Sequence, residues 1–157
     1  MTDAKHPDHH YTVRCEWEGS TADGYDAYDR THRATAPPAD ATLMLTSDPA
    51  FRGSPELLDP EQLLVLAASS CQLLSFLAAT ARARIDVVGY HDEAEGEMPE
   101  GGRPMRITRI TLRPRITVRG EVSDSRILHL VEVGHRECFI SNSLTAEIVV
   151  EPTITRV

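Results

Sequence analysis

The feature that most constrains this chain is residues 59–84, DPEQLLVLAASSCQLLSFLAATARAR. It reads as one long helix. Asp59 suits the N-cap, Pro60 suits the first helical position, and Gln62 lies three residues after the cap, as in a capping box. The interior uses Leu, Ala and Gln, with neither Gly nor Pro after Pro60. Arg82 and Arg84 put positive charge at the negative end of the helix dipole. Leu63, Leu64, Leu66, Ala67, Leu73, Leu74, Phe76, Leu77 and Ala78 cover more than one stripe, which predicts a helix buried on most sides. The polar run Ser69-Ser70-Cys71-Gln72 interrupts the segment too much for a membrane span. Polar groups at the centre of a buried helix need a reason.

The rest of the chain must wrap around that helix. Residues 1–10, MTDAKHPDHH, read as a frayed tail, and residues 11–157 as a single domain. His6, His9 and His10 lack the Cys or carboxylate spacing of a closed metal site. Residues 11–18 alternate, with Tyr11, Val13, Cys15 and Trp17 on one face, which predicts a half-buried strand with Cys15 as a small core residue. A second strand is expected over 25–35, carrying Arg30, His32 and Arg33, and a third over 42–46. Residues 47–58 read as a loop that carries Arg52. Long strands are expected over 86–98 and 105–118, with Pro114 marking an edge or a bulge in the second. Residues 123–137 read as a second helix, capped by Ser123 or Asp124 and weakened near its end by Gly134. Cys138 falls in a turn or short helix, and 146–157 forms a last strand broken by Pro152.

This order predicts an α+β fold with a mainly antiparallel sheet around a long central helix. One small sheet and one amphipathic helix can hardly cover an element apolar on most sides. A homodimer with its two central helices packed together is therefore expected.

A formal net charge of -8 argues against nucleic acid and anionic membrane as partners. The N-terminus carries no apolar run of the kind a secretory signal needs, so a cytoplasmic location is expected. In a reducing compartment the three cysteines would be catalytic or inert thiols rather than structural disulfides.

Cys71 and Cys138 are far apart in sequence, and spacing alone does not bring them within the roughly 7 Å Cα separation a disulfide requires. Neither belongs to a CxxC pair. His135 with two cysteines lacks the fourth ligand of a closed zinc site. Periodicity alone favours a structural role for Cys71. A thiol reacts as its thiolate, which a nearby arginine favours, and Arg30, Arg33 and Arg52 sit in strand or loop positions. Glu61 suits a bidentate hold on such an arginine. In a straight helix Glu61 and Cys71 lie about 15 Å apart along the axis, so an arginine must span the gap or the helix must bend.

Pro60-Glu61-Gln62-Leu63-Leu64, a cysteine ten positions after Glu61 within AASSCQLLSFL, and a late cysteine in GHRECFISNSL before a terminal strand resemble the OsmC/Ohr family. These are the osmotically inducible and organic-hydroperoxide-resistance proteins. The resemblance covers residues from about Tyr11 to the end, and FRGSPELLDPEQLL and YDRTHR look like an OsmC-like branch. It implies an intertwined homodimer acting as a thiol-dependent peroxidase on organic hydroperoxides. By the same resemblance, Cys71 is the peroxidatic nucleophile and Cys138 the resolving thiol. Glu61 orients an activating arginine, for which Arg52 fits the OsmC pattern and Arg30 the Ohr pattern. An external dithiol, possibly a lipoylated protein, would be the reductant. His32 and His135 take solvated or capping roles. A different class is also open: an OsmC-like stress-response or small-molecule binding protein whose thiols react slowly.

Overall fold

The computed structural model of the chain describes residues 8–157. The expected tail falls largely on residues 1–7, and so does His6; these lie outside the described residues. His9 and His10 are exposed. The chain divides into two compact units, one up to Pro60 and one from Glu61 to Val157.

The first unit is a small antiparallel meander of β1 (Arg14–Glu16), β2 (His32–Thr35) and β3 (Thr42–Leu45). The register pairs Cys15 with Ala34, and Ala34 with Leu43. The first two strands are shorter than the alternation of residues 11–18 and 25–35 predicts. β1 is an edge strand, and among the described residues nothing covers its apolar side: Tyr11 is 88% exposed and Val13 72%. Cys15 is therefore exposed, not the core residue expected from its position in the pattern. Residues 47–58 contain one turn of 3-10 helix, Pro49–Phe51, whose cap Asp48 accepts the Ala50 N–H.

The second unit begins with α1 (Pro60–Arg82), unbroken over 23 residues. Despite its polar run, α1 is by length and composition long and apolar enough to cross a membrane, a test that the core helix of a soluble protein also meets. Its buried residues Ala68, Gln72, Phe76, Ala79 and Thr80 recur at helical spacing and form one stripe. That stripe faces the unit's own core. The expectation of a helix buried on most sides is not met within one chain, since Leu66 is 57% exposed and Leu74 64%.

Arg84 follows the helix with φ 57, in the left-handed region. The Ile85 N–H reaches back to the Thr80 carbonyl and the Arg84 N–H to that of Ala81, which together form a Schellman stop. Glycine normally holds that position, because a Cβ there costs about 1–2 kcal/mol. Arg84→Gly should therefore raise stability by about 1 kcal/mol, read as a higher denaturation midpoint. An unchanged or lower midpoint would show that the backbone is not strained there.

Three long strands follow, each creased once. The first is β4 (Asp86–Asp92) with β5 (Glu95–Glu97). The second is β6 (Arg109–Leu112) with β7 (Pro114–Arg119). The third is β8 (Glu147–Val150) with β9 (Thr153–Arg156). They form two three-stranded sheets, β4-β7-β9 and β5-β6-β8. The β4–β7 and β5–β6 pairs are antiparallel, whereas β7–β9 and β6–β8 are parallel. The expected sheet thus becomes three small sheets with both kinds of pairing, antiparallel pairs being the more frequent.

The creases line up across the strands because the backbone cannot continue the ladder there. Pro114 and Pro152 have no N–H. The Arg113 N–H donates instead to the Asp92 carboxylate at 2.6 Å. The Arg113 side chain spans the crease to Glu95 and Glu151, each at 3.2 Å. Both pairs are largely exposed, so each contributes at most about 1 kcal/mol.

Two helices close the crossover from the second strand to the third. Ser123 caps α2 (Asp124–Glu137) by accepting the Arg126 N–H at 3.3 Å. α3 (Phe139–Ser143) follows at once, and Cys138 is both the C-cap of α2 and the N-cap of α3. Phe76, Ala79, Ile116, Val118, Ile127, Leu130 and Val131 join α1, β7 and α2 in one core cluster. A second, around Ala68, Ile110 and Leu112, is continued by Ile140 and Ile148. Gly134, at first sight only a weak helix residue, lets α2 approach α1. A Cβ there would lie 2.9 Å from the Phe76 backbone nitrogen.

Candidate active site

The two cysteines that sequence spacing could not place together meet in the second unit. Cys71 sits midway along α1 and is half-buried; Cys138 has no exposed surface. The passage of α2 over α1 at Gly134 and Phe76 fixes this approach. It brings the residue that ends α2 onto the middle of α1.

The Ile140 N–H, the Cys138 thiol, the Phe139 N–H and Ser75 surround the Cys71 thiol and each favours its ionised form. Burial pushes the Cys71 thiol up, but these donors together outweigh it and hold Cys71 below its ordinary value. Cys138 goes the other way. Burial pushes it up, bonds from the Ser141 hydroxyl and N–H pull it down, and the neighbouring Cys71 pushes it up again. The two thiols are thus shifted in opposite directions, Cys71 toward easier ionisation and Cys138 toward harder. A thiolate is the nucleophilic form of cysteine, so the asymmetry gives the pair distinct chemical roles.

One side of the pair is buried. The Phe76 and Tyr90 rings pack at 5.8 Å. The Tyr90 hydroxyl is buried without a hydrogen-bond partner. Burial, and then the charges of Asp92 and Cys138, push its ionisation far up, so it stays a neutral phenol. Gln72, next to Cys71, donates to the Val131 carbonyl at 3.2 Å and leaves its own amide oxygen unpaired. His135 has its Nδ1 buried and unpaired and lines a groove of about 480 Å³ with Leu128, Val131, Val150 and Pro152. Two residues before Cys71, Ser69 donates to Asp92, the same carboxylate that holds the Arg113 N–H. The polar patch of α1 is thus divided among three tasks: Ser69 anchors the strand crease, Gln72 anchors α2, and Cys71 faces Cys138.

The remaining sequence candidates are distributed as follows. Glu61 is half-buried in the first turn of α1. Because α1 is unbroken, Glu61 stays about 15 Å along the axis from Cys71 of its own chain. Arg52 and Arg30 belong to the first unit. Arg52, with φ 70, pairs with Asp26 at 2.8 Å. Arg30 lies between Tyr25 and Tyr28, 4.7 and 3.9 Å from their ring centroids, and donates to both of their carbonyls. His32 hydrogen-bonds the Arg30 carbonyl at 2.8 Å. No group of three or more His, Cys, Asp or Glu residues suited to a metal ion occurs among the described residues. Sequence reasoning missed Ser75 and Ser141 as partners of the two thiols. Their spacing carried a signal, one helical turn after Cys71 and the third residue after the cap Cys138.

Comparison with known proteins places this arrangement. The model of the family described as OsmC-like protein matches residues 53–153. No curated protein sequence matches the chain significantly. Among solved structures, the chain is similar to an OsmC-like protein of unknown function from Vibrio cholerae, with TM-score 0.84 and 24% identity over 93% of this chain and 100% of that one. It also resembles an organic hydroperoxide resistance protein from Elizabethkingia anophelis, with TM-score 0.67 and 16% identity over 96% of this chain and 100% of that one. A third similar structure is that of the corresponding protein of Bacillus subtilis, with TM-score 0.59 and 14% identity over 94% and 98% of the two chains. At these identities the likeness establishes the fold.

Proposed function

The chain belongs to the OsmC-like protein family, and from that premise we propose that it is a thiol-dependent peroxidase for organic hydroperoxides. The observation that carries this reading is that Cys71 and Cys138 are brought beside one another, where the Cys138 thiol and the peptide N–H groups of Ile140 and Phe139 favour ionisation of Cys71. In the proposed cycle the Cys71 thiolate attacks the terminal oxygen of the hydroperoxide. The O–O bond breaks, Cys71 becomes a sulfenic acid, and the alkoxide takes a proton and leaves as alcohol. The Cys138 sulfur then attacks the Cys71 sulfur. The S–S bond forms, hydroxide departs, and the proton once held by Cys138 makes it water. An external dithiol reduces the disulfide and closes the cycle.

Two relatives of the same fold are named as organic hydroperoxide resistance proteins, which supports a hydroperoxide as substrate. Leu74 and Phe139 lie beside the two cysteines in sequence and are 64% and 78% exposed. Apolar walls of that kind favour an alkyl hydroperoxide over hydrogen peroxide. The same exposed residues, with Leu66, Tyr11 and Val13, support a homodimer as the working form. Glu61 acts in this reading by orienting an arginine, Arg52 or Arg30, and not by touching the sulfur. A dithiol such as a lipoylated protein is the proposed reductant, in a cytoplasm that keeps thiols reduced.

The test is a titration of the reduced protein with one equivalent of cumene hydroperoxide, read by free-thiol count and intact mass. Rapid loss of two thiols, with a mass decrease of about 2 Da for one disulfide, is expected. If both thiols survive excess peroxide, the chain is a binding or stress-response module and the peroxidase reading is wrong.

A further inference from the structure

We propose that Ser141 is a catalytic residue of the second step, holding the Cys138 sulfur with its hydroxyl and its peptide N–H as that sulfur attacks oxidised Cys71. The inference rests on the reading of Cys71 and Cys138 as a peroxidatic and resolving pair. The Ser141 hydroxyl donates to the Cys138 sulfur at 3.2 Å and the Ser141 N–H at 3.5 Å. Cys138 has no exposed surface, so water cannot serve in their place.

The local geometry explains why this serine is at hand. Cys138 occupies the N-cap of α3, so its side chain takes the place usually filled by the oxygen of Ser, Thr, Asp or Asn. Ser141 is the third helical residue, where a capping box places a Glu or Gln that bonds back to the cap. Here a hydroxyl returns to the cap's own sulfur. A carboxylate at that position would repel a thiolate, whereas a hydroxyl donates to it.

The chemistry requires such a group. The attack on Cys71–S–OH proceeds from the thiolate of Cys138, and burial disfavours that form. The S–S bond forms as the S–O bond breaks, and hydroxide leaves with the proton Cys138 gave up. The Ser141 proton stays on Ser141 throughout, shared as a hydrogen bond with the sulfur. The opposing effects of burial and of Ser141 on Cys138 follow the same logic.

An ordinary helix-capping serine would stabilise α3 without affecting the resolving thiol, and two variants separate these cases. Ser141→Ala removes the hydroxyl and keeps the N–H; Ser141→Thr keeps both. In a Cys15→Ser/Cys71→Ser background, the ultraviolet absorbance of the Cys138 thiolate against pH should shift its midpoint up by about one unit in Ser141→Ala and return in Ser141→Thr. In the parent background, rapid mixing with cumene hydroperoxide should leave the first oxidation of Cys71 within about twofold. Disulfide formation should slow by about tenfold or more, the worth of one hydrogen bond to a charged sulfur. The sulfenic acid then lives long enough to be trapped by dimedone. An unshifted thiolate titration, or disulfide formation at the parent rate, overturns the role of Ser141. A parent chain that loses no thiols to the peroxide overturns the peroxidase reading itself, and the resolving role with it.

Discussion

Cys71→Ser loses peroxide consumption by roughly a thousandfold or more, because an alcohol in that place has no accessible oxyanion near neutral pH. The structure makes the expectation specific to this position. The groups around Cys71 favour its ionised form, whereas Cys15 is exposed at the edge of the first unit. Cys15→Ser should therefore keep the parent rate. Cys138→Ser should behave differently from both. Its first equivalent of peroxide is consumed at Cys71, but no disulfide follows. Excess peroxide then adds a second and a third oxygen to Cys71, carrying it to the sulfinic and sulfonic acids. Intact mass after one and ten equivalents of cumene hydroperoxide distinguishes the three variants. Because Cys71 is held below its ordinary value, the parent's oxidation rate should rise with pH and level off below the range of a free cysteine. If Cys71→Ser retained the parent rate, neither the nucleophile nor the cycle assigned to it would stand.

Phe76→Ala lowers folding stability by about 3–5 kcal/mol. Phe76 is fully buried where α1, β7 and α2 meet, against Ile116, Val118, Ile127, Leu130 and Val131. Its ring also packs on Tyr90. The substitution opens a cavity that this seam cannot close, because Gly134 already brings α2 against the α1 backbone. The denaturant midpoint should drop with little change in slope, measured at fixed protein concentration. Phe76→Leu, which keeps most of the volume, should cost less than about 1.5 kcal/mol. The cavity also loosens the crossing that holds Cys138 on Cys71, so disulfide formation should slow in Phe76→Ala even where the chain remains folded. Equal stability of the Ala and Leu variants would mean the seam is not the centre of this core.

How much of this was legible beforehand varies by element, for physical reasons. Helix signals are local. Pro60, the Leu and Ala run and Ser123 placed α1 and α2 within a residue or two of their observed bounds, and the short helix after Cys138 lay where a turn or short helix was expected. Strand alternation is local too, and the three long strands of the second unit fall on the segments read for them. The first unit was less legible. Residues 11–18 alternate well, yet only three of them form a strand, since pairing and cover depend on what lies alongside. Pro114 and Pro152 marked the crease without showing that it runs through all three strands. The aligned crease depends on Asp92 and Arg113 from two different strands.

The candidate site divides in the same way. The chain alone singled out Cys71 as the unexplained polar centre of an apolar helix, Cys138 as a thiol before the last strand, and Glu61 in the opening turn. Those readings need only residue types at fixed spacings. That the two thiols meet was not written in any spacing, because it follows from α2 passing closely over α1 at Gly134. The split in their acidity was likewise hidden. It arises from the burial of Cys138 and from N–H groups of α3 that point at Cys71 only once the helices are packed. By itself the sequence determined the helices, the alternating segments and the residues with chemistry to offer, since each is set within a few neighbouring positions. Only the tertiary structure decided which thiol ionises more easily and which serine lies against Cys138, because charge in a protein interior is controlled by whatever folding brings beside it.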